Sequence, residues 1–369
     1  MATFTANFAI RCHFLIKLGD VSQPDEGRAV TGDRVARSAP VTLNDVAREA
    51  DVAVSTVSRA LSNPERVSRA TREHVQAVAR RLGYQANRSA GGSQMLALLI
   101  HDVTNPYNFG LIRGAESQAR AAGYTLILCH TQESPELETT HAERLLTTVD
   151  GLILAASRLP AEQLREIAAR APVVLFNRQL AGFASVVLDS VDGSRQIVEH
   201  LHALGHRSIA YLAGPRNAWT NDERWRSLSS TAAALEVEIV RLGPFLPTLE
   251  QGAAAADVGL SSGATALVAF NDLLAIGALQ RLERRGIAVP EAISVVGFDD
   301  IFGSDFCHPP LTTVSGPVEE AGRSLVDLLV SAVQTGQGRS GSTSPASRQQ
   351  VVPTHLRIRD STGTAPGRP

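Results

Sequence analysis

Between residues 41 and 61 the apolar positions recur at helical spacing in two short runs, which predicts two helices joined by a tight turn. The apolar face of the first helix consists of Leu43, Val46, Ala47 and Ala50. Asp51 stands at the turn, where the backbone must be left-handed. In the second helix, about 54–61, the inward set is Val57, Ala60 and Leu61, and the outward set is Ser55, Thr56, Ser58 and Arg59. Two helices this short cannot bury their apolar faces alone, so a third helix, from Ala70 to Leu82 and capped by Ser68, is required.

From Leu96 onward the pattern changes to continuous apolar runs, such as MLALLI, GLILA and PVVLF, which alternate with amphipathic stretches. Buried parallel strands have continuous apolar sequences, so the predicted fold class is α/β, with parallel sheets covered on both faces. About nine such runs in two similar series predict two doubly wound subdomains with a cleft between them. Helices are expected near 109–122, 135–149, 160–171, 192–204, 222–235, 249–261 and 271–285.

These changes of pattern also predict the domain boundaries. Residues 1–40 are interrupted by charges and rich in polar residues, so they are expected to be a disordered extension. The further parts are a helix-turn-helix domain at 41–86, a shortened hinge at 87–95, a first subdomain at 96–189 and 318–346, a second subdomain at 190–317 and 347–360, and a tail at 361–369. The tail has no leucine heptad, so a tetramer held together by the tail is not expected.

Polar and aromatic residues follow the predicted strands at the point where each strand ends. In doubly wound folds ligands bind outside the carboxyl ends of the strands, so these residues are expected to converge on one cleft. Each of them alone could instead be a helix cap, as Asn271 and Asp192 illustrate. Their concentration at one edge, with arginine and aromatics among them, favours a polar small-molecule site.

Charge is distributed unevenly along the chain of 369 residues. The formal net charge is −2, but residues 41–92 contain eight arginines against five acidic residues. A basic segment at 41–92 in an otherwise acidic chain favours contact between that segment and phosphate groups. Lys17 is the only lysine, so the folded part offers neither a Walker-type phosphate lysine nor a Schiff-base lysine.

Other catalytic, metal and membrane motifs are missing or misplaced in the sequence. The three cysteines lie far apart and His200 and His202 lack a third ligand at suitable spacing, so neither a metal nor a cofactor is expected. Gly259 to Gly263 match GxSxG, but a helix precedes them and a strand follows, the reverse of a nucleophile elbow. No apolar span of membrane length and no clean signal peptide occurs, so a cytoplasmic protein without membrane contact is expected.

The outward face of the second helix suits contact with DNA. A helix-turn-helix places its second helix in the major groove, where the N-terminal half of that helix reads the bases. Small hydroxyls allow close approach, Arg59 can contact phosphate or guanine, and Val54 can contact a thymine methyl group. The alternative is a small helical bundle whose outward face is polar for solubility alone.

From about Val41 to Asp360 the sequence resembles the LacI/GalR (lactose-repressor) family of bacterial transcription regulators. The motifs that carry the resemblance are VTLNDVAREADVAVSTVSRAL, VSRATREHVQAVARRLGY, NPY, HLHALGHRSIAYLAGP, AFNDLLAIGAL, ISVVGFDD and HPPLTTV. The resemblance implies a three-helix headpiece, a periplasmic-binding-protein-like effector domain and a homodimer on a near-palindromic double-stranded DNA operator. It further implies a repressor whose operator affinity is controlled allosterically by a small molecule in the cleft.

By position, the resemblance also implies site residues in both parts of the chain. Val54, Ser55 and Arg59 would read bases, within a DNA-contact set of Thr42, Val54, Ser55, Thr56, Ser58, Arg59, Asn87 and Arg88. The effector cleft would be lined by Tyr107, Arg224, Asn271 and Asp299, with Phe245 as a stacking aromatic and Asp189 and Trp219 as further candidates. An arginine and an aspartate that face one cleft favour a grip on vicinal hydroxyls, hence a sugar; a purine base or nucleoside is the alternative.

Three departures from the family pattern concern the DNA-binding part. Asp51 stands where the family usually has glycine, which strains the turn, and Ala53 stands for serine, which removes a cap worth about 1 kcal/mol. The hinge is several residues too short, has no leucine to wedge into the minor groove, and contains Gly91 and Gly92. Weaker kinking of the operator is therefore expected.

Other functions compete with this interpretation. A solute-binding protein for transport shares the fold of the effector domain, but it would lack the two helices at 41–61 and would carry an export signal. An α/β enzyme could use the same cleft, but the missing lysine, the misplaced GxSxG and the absent metal cluster argue against an enzyme. A sugar-binding protein with a degraded DNA-binding hinge is a further alternative.

Overall fold

The structure, a computed structural model, describes residues 43–62, 67–82, 92–335 and 348–367. The chain divides into two compact units, with the division between Asn87 and Arg88. The predicted extension at 1–40 and most of the predicted hinge lie outside the described residues.

The first unit contains the three predicted helices, α1 (Leu43–Glu49), α2 (Val54–Ser62) and α3 (Arg69–Arg81). The eight buried residues of its core are Val46, Ala47, Ala50, Val57, Ala60, Val75, Val78 and Ala79. Ser68 caps α3 as predicted, because its Oγ accepts a hydrogen bond from the Thr71 amide at 3.2 Å. The turn at Asp51 is left-handed, with a φ of 49°, which also agrees with the prediction.

The second unit contains two six-stranded sheets. The first has the order β11-β5-β4-β3-β1-β2 and consists of β1 (Met95–Ile100), β2 (Thr125–His130), β3 (Gly151–Ala155), β4 (Val173–Phe176), β5 (Ala184–Leu188) and β11 (Gln349–Val352). All its strand pairs are parallel. The helices of this subdomain are α4 (Tyr107–Ala121), α5 (Pro135–Leu145), α6 (Ala161–Ala168) and α11 (Val318–Gln334).

The second sheet has the order β12-β10-β9-β8-β6-β7 and consists of β6 (Ser208–Leu212), β7 (Glu238–Leu242), β8 (Ala266–Ala269), β9 (Ser294–Phe298), β10 (Thr312–Ser315) and β12 (His355–Arg357). Its strand pairs are parallel except the edge pair of β10 and β12. The helices of this subdomain are α7 (Ser190–Ala203), α8 (Trp219–Ala234), α9 (Leu249–Ser261) and α10 (Asp272–Arg284).

The inner strands of both sheets are buried on both faces, which explains their continuous apolar runs. In β3, alternate side chains point to opposite faces: Ile153 packs in the cluster with α4 and α11, whereas Leu152 and Leu154 pack in the cluster with α5 and α6. The predicted α/β class with two doubly wound parallel sheets is confirmed.

The last strands differ from the predicted boundaries. Residues 347–360 were expected to belong whole to the second subdomain, but β11 pairs with β5 of the first sheet and only β12 joins the second. The reason is that the chain crosses between the subdomains once more, at Pro353 and Thr354, after completing the edge of the first sheet. Together with the crossings after β5 and β10, this gives three connections between the subdomains.

Candidate functional site

The outward face of α2 is exposed, as the sequence predicts. Val54 is 43% exposed, and Ser55, Ser58 and Arg59 are also exposed, while Thr56 is half-buried. The Nε of Arg59 donates to the backbone oxygen of Ser55 at 3.0 Å, so the guanidinium lies against the N-terminal half of the helix. Three other predicted DNA-contact residues, Thr42, Asn87 and Arg88, lie outside the described residues.

A cavity of about 360 Å³ lies between the two subdomains of the second unit, at the carboxyl ends of the strands. Its lining from the first subdomain includes His101, Asp102, Asn105, Tyr107, His130, Gln132, Glu133, Arg158, Phe176 and Asn177. Its lining from the second subdomain comprises Thr220, Arg224, Leu246, Pro247, Thr248, Phe270, Asn271 and Asp299. The structure thus brings four of the predicted effector residues, Tyr107, Arg224, Asn271 and Asp299, to one cavity.

Arg224 contributes a guanidinium group to this lining. Its Nη1 donates to the backbone oxygen of Phe270, and its Nη2 lies 3.4 Å from Oδ1 of Asp299. The guanidinium also lies 4.0 Å from the ring centroid of Phe298, a cation–π contact. Its Nε is buried and has no hydrogen-bond partner among the described residues, so one donor of the arginine is left unsatisfied.

Two carboxyl groups near the cavity have raised pKa values, that of Asp299 beside this arginine and that of Asp272. Burial raises the pKa of Asp299 to about 6, although Arg224 opposes the shift. Burial, together with the charge of Asp299, raises the pKa of Asp272 to about 8. Asp272 does not line the cavity; its oxygens accept hydrogen bonds from Ile301, Ser304 and Thr313 and hold the loop that follows Asp299.

An aromatic surface belongs to the first subdomain. The rings of Tyr107 and Phe176 are stacked with centroids 6.3 Å apart, and Asn177 donates to the Tyr107 hydroxyl at 2.8 Å. Asn177 in turn accepts from the Leu188 amide, which fixes its orientation. Burial raises the pKa of the Tyr107 hydroxyl, so this group stays neutral and can donate one hydrogen bond.

Asn271 is both a helix cap and a residue of the cavity, the two roles that the sequence left open. Its Oδ1 accepts from the Leu274 amide at 3.0 Å and so caps α10, while its Nδ2 donates to the backbone oxygen of Pro247. It also lines the cavity.

The other three predicted effector residues do not line the cavity. Phe245 packs into the core cluster of the second sheet, and Asp189 caps α7 at a crossing between the subdomains by accepting from the Asp192 amide. Trp219 is the first residue of α8, which begins three residues earlier than predicted. On that helix Thr220 and Arg224, four residues apart, share the face toward the cavity, and Trp219 lies off it.

Several lining residues were not singled out from the sequence, among them His101, His130, Glu133 and Arg158. The available signal was their position, because all of them follow or end β1, β2 or β3. Five of the nine described non-glycine residues with a positive φ also line the cavity: Gln132, Glu133, Ala156, Asn177 and Asp299. Such sparsely populated backbone conformations are concentrated at functional sites, which independently marks this cavity.

The described residues contain no group of three or more side chains that could hold a metal ion. None of their helices is long and apolar enough to cross a membrane.

Comparison with known proteins gives matches to both units. Residues 42–87 match the description "Bacterial regulatory proteins, lacI family", and residues 198–362 match "Periplasmic binding protein-like domain". The transcriptional repressor CytR of Escherichia coli is 32% identical over 340 residues, which cover 88% of this chain and 97% of CytR.

Two solved structures resemble the chain over nearly its whole length. The lac repressor dimer bound to operator and an anti-inducer has a TM-score of 0.66 and 28% identity, covering 88% of this chain and 100% of that one. The complex of the transcriptional regulator CelR with cellobiose has a TM-score of 0.65 and 29% identity, covering 87% of this chain and 99% of that one.

Proposed function

Since this chain belongs to the LacI family of bacterial regulatory proteins, and is therefore a DNA-binding transcriptional regulator, we propose that a sugar-like effector in the cavity at Arg224 and Asp299 controls its operator affinity. The regulator acts as a repressor and binds a near-palindromic operator as a homodimer. In support, the lac repressor, which resembles this chain, is a dimer bound to operator in its solved structure. Because bacterial DNA lies in the cytoplasm, this function requires a cytoplasmic protein and no catalysis.

One observation carries the effector proposal: Arg224 and Asp299 face one cavity with hydrogen-bonding capacity left over. Both residues line the cavity, and Asp299 makes a single long contact of 3.4 Å with the guanidinium. Adjacent hydroxyls of a sugar can donate to the carboxylate and accept from the guanidinium at once.

The control mechanism follows from the position of the cavity between the subdomains. A ligand that contacts both subdomains stabilises one relative arrangement of them over others. Such coupling between two binding sites is typically about 1–3 kcal/mol. On the DNA side, Val54, Ser55 and Arg59 of α2 are the proposed base readers, supported by their exposure.

A nucleoside or purine base is the second candidate effector. The observation in its favour is the stacked pair of Tyr107 and Phe176 at the cavity, since aromatic rings offer a flat apolar surface to a base.

The experiment that tests this function is the capture of genomic DNA fragments by the purified chain, with and without candidate sugars and nucleosides. Recovery of a defined fragment that a ligand releases or retains supports the proposal. Recovery of no sequence in preference to bulk DNA contradicts it. Chemical analysis of the ligand after incubation separates a regulator, which leaves the ligand unchanged, from an enzyme.

A further inference from the structure

The wall of the cavity that belongs to the first subdomain has an excess of hydrogen-bond acceptors. Asp102 uses its Oδ1 to accept from the amide and hydroxyl of Thr104, at 2.8 and 2.7 Å. Glu133 uses its Oε2 to accept from Nε and Nη2 of Arg158, at 3.0 and 2.8 Å. Neither Oδ2 of Asp102 nor Oε1 of Glu133 accepts a hydrogen bond from the part of the chain that the structure describes. The Nε2 of His130, on the same wall, lies 4.0 Å from Oδ1 of Asp102, beyond hydrogen-bond distance.

Two strong donors of the same wall, Arg158 and His101, are already engaged. Arg158, whose side chain is only 4% exposed, also donates from Nη1 to the backbone oxygen of Ala156. His101 bonds the same oxygen through Nε2, so that nitrogen carries the proton. Burial, with the nearby charge of Arg158, lowers the pKa of His101 to about 4, so the ring is neutral at pH 7.

The charged side chains of the lining determine the net charge that each wall presents to a ligand. Among the carboxylate and guanidinium groups of the lining, Asp102 and Glu133 outweigh Arg158 by one negative charge, while Arg224 and Asp299 on the opposite wall balance each other. A phosphate or carboxylate on the ligand would be repelled by this wall, and a group that donates hydrogen bonds would be attracted.

We propose that the ligand of this cavity carries an amino group at the end that meets Asp102 and Glu133 and vicinal hydroxyls at the end that meets Arg224 and Asp299. This inference rests on the proposed function and narrows its effector to non-anionic, amino-bearing molecules. Both a nucleoside with an exocyclic amino group and an amino sugar have this chemistry. The stacked rings of Tyr107 and Phe176 lie in the lining that such a ligand would contact.

Three matched pairs of probes test the amino group by isothermal titration calorimetry on the full chain: cytidine against uridine, adenosine against inosine, and glucosamine against glucose. Within each pair an amino group replaces an oxygen. In at least one pair the aminated member is expected to bind about tenfold more tightly or better, as a hydrogen bond to a charged acceptor typically provides. The pair that responds distinguishes a nucleoside from an amino sugar, and the monophosphate of a responding nucleoside is expected to bind more weakly.

Asp102→Asn is the sharpest variant, because an asparagine keeps the Oδ1 acceptor for Thr104 and replaces only the second oxygen with a donor. The preference for the aminated probe should disappear in this variant. It should persist in the control Asp222→Asn, which changes an exposed aspartate that pairs with Arg241 outside the cavity.

Two results would overturn the proposal: no pair shows a preference for its aminated member, or the preference is unchanged in Asp102→Asn. These results differ from failure of the proposed function. If glucose binds, releases DNA and requires Asp299, the proposed function is supported and the preference for an amino group is contradicted. If an aminated probe binds through Asp102 but never alters DNA binding, the preference for an amino group is supported and the proposed control of DNA binding is contradicted.

Discussion

Arg224 and Asp299 form an ion pair with a single nitrogen–oxygen contact of 3.4 Å, although their side chains are only 8% and 11% exposed. A buried arginine–carboxylate pair usually forms two shorter parallel hydrogen bonds. The long contact indicates that neither group is fully satisfied by the other. Each therefore retains capacity for a ligand in the cavity between the subdomains.

Asp299→Asn is expected to weaken effector binding by about 10- to 100-fold, the equivalent of one hydrogen bond to a charged group. Asparagine has the same shape but lacks the charge and one acceptor. Calorimetric titration with an effector that releases DNA measures the change, with Asp222→Asn as the matched control. Equal affinity in Asp299→Asn and the control would remove this carboxylate from the site.

Asp272 is expected to make the stability of the second subdomain depend on pH. The unfolded chain releases the proton of an aspartate near pH 4, whereas burial raises the pKa of Asp272 to about 8 in the folded protein. The folded state therefore holds a proton that the unfolded state lacks. The resulting stability is complete below about pH 4 and is lost as the pH rises toward 8, by up to about 1.4 kcal/mol per pH unit.

Comparison with Asp272→Asn between pH 7 and 8 isolates this effect from other shifted groups. Asp299, with a pKa of about 6, and the histidines with lowered pKa, His101, His200 and His206, titrate mainly below this interval and contribute equally to both chains. Urea unfolding followed by the fluorescence of Trp219 and Trp225, both in α8, should show falling stability in this interval for the natural chain and not for Asp272→Asn. Equal slopes for the two would show that Asp272 is already ionised at pH 7.

The sequence predicted the cavity residues that come directly after strands. Asp299 follows β9, Asn271 comes two residues after β8, and Tyr107 lies in the segment after β1. These positions are set by chain order and by the rule that parallel strands end at one edge. Arg224 ends the polar segment after β6, and the family resemblance then singled it out; it lies on the face of α8 toward the cavity.

The parts that could not be predicted depend on contacts distant in the chain. Whether Glu133 or a neighbour turns toward the cleft depends on the left-handed backbone at Gln132 and Glu133, which local sequence does not specify. Phe245 resembles a stacking aromatic in sequence, but the chain after β7 directs it into the core. The strand β11 pairs with β5 about 160 residues earlier, a partner that no local pattern indicates.

Gly114→Ala is expected to destabilise the first subdomain by about 1–3 kcal/mol, because its added methyl group overpacks the contact between α4 and α11. The new carbon would overlap the backbone oxygen of Glu319. Gly110→Ala, one turn earlier on α4, is the control, since its nearest neighbour would be the Val318 side chain at 3.5 Å. Urea unfolding followed by circular dichroism compares the two; equal stabilities would contradict the close helix crossing.

Ala53→Ser is expected to stabilise α2 by about 1 kcal/mol by supplying a helix cap. Ala53 precedes the helix, and its backbone oxygen accepts from the amides of Thr56 and Val57, but its side chain cannot accept a hydrogen bond. Amide hydrogen exchange in the full chain reports the local protection of α2. Unchanged protection of Thr56 and Val57 would indicate that the serine does not cap the helix.

The affinity of the full chain and of Arg59→Ala for a recovered genomic fragment, measured at about 0.15 M salt, tests most directly whether α2 reads DNA. Arg59 is exposed, and its guanidinium lies against Ser55 on the face proposed to enter the major groove. Loss of a guanine or phosphate contact should weaken binding by about 10- to 100-fold, the equivalent of about 1–3 kcal/mol. An unchanged affinity would show that this helix is not the reader and that the regulator recognises DNA elsewhere or not at all.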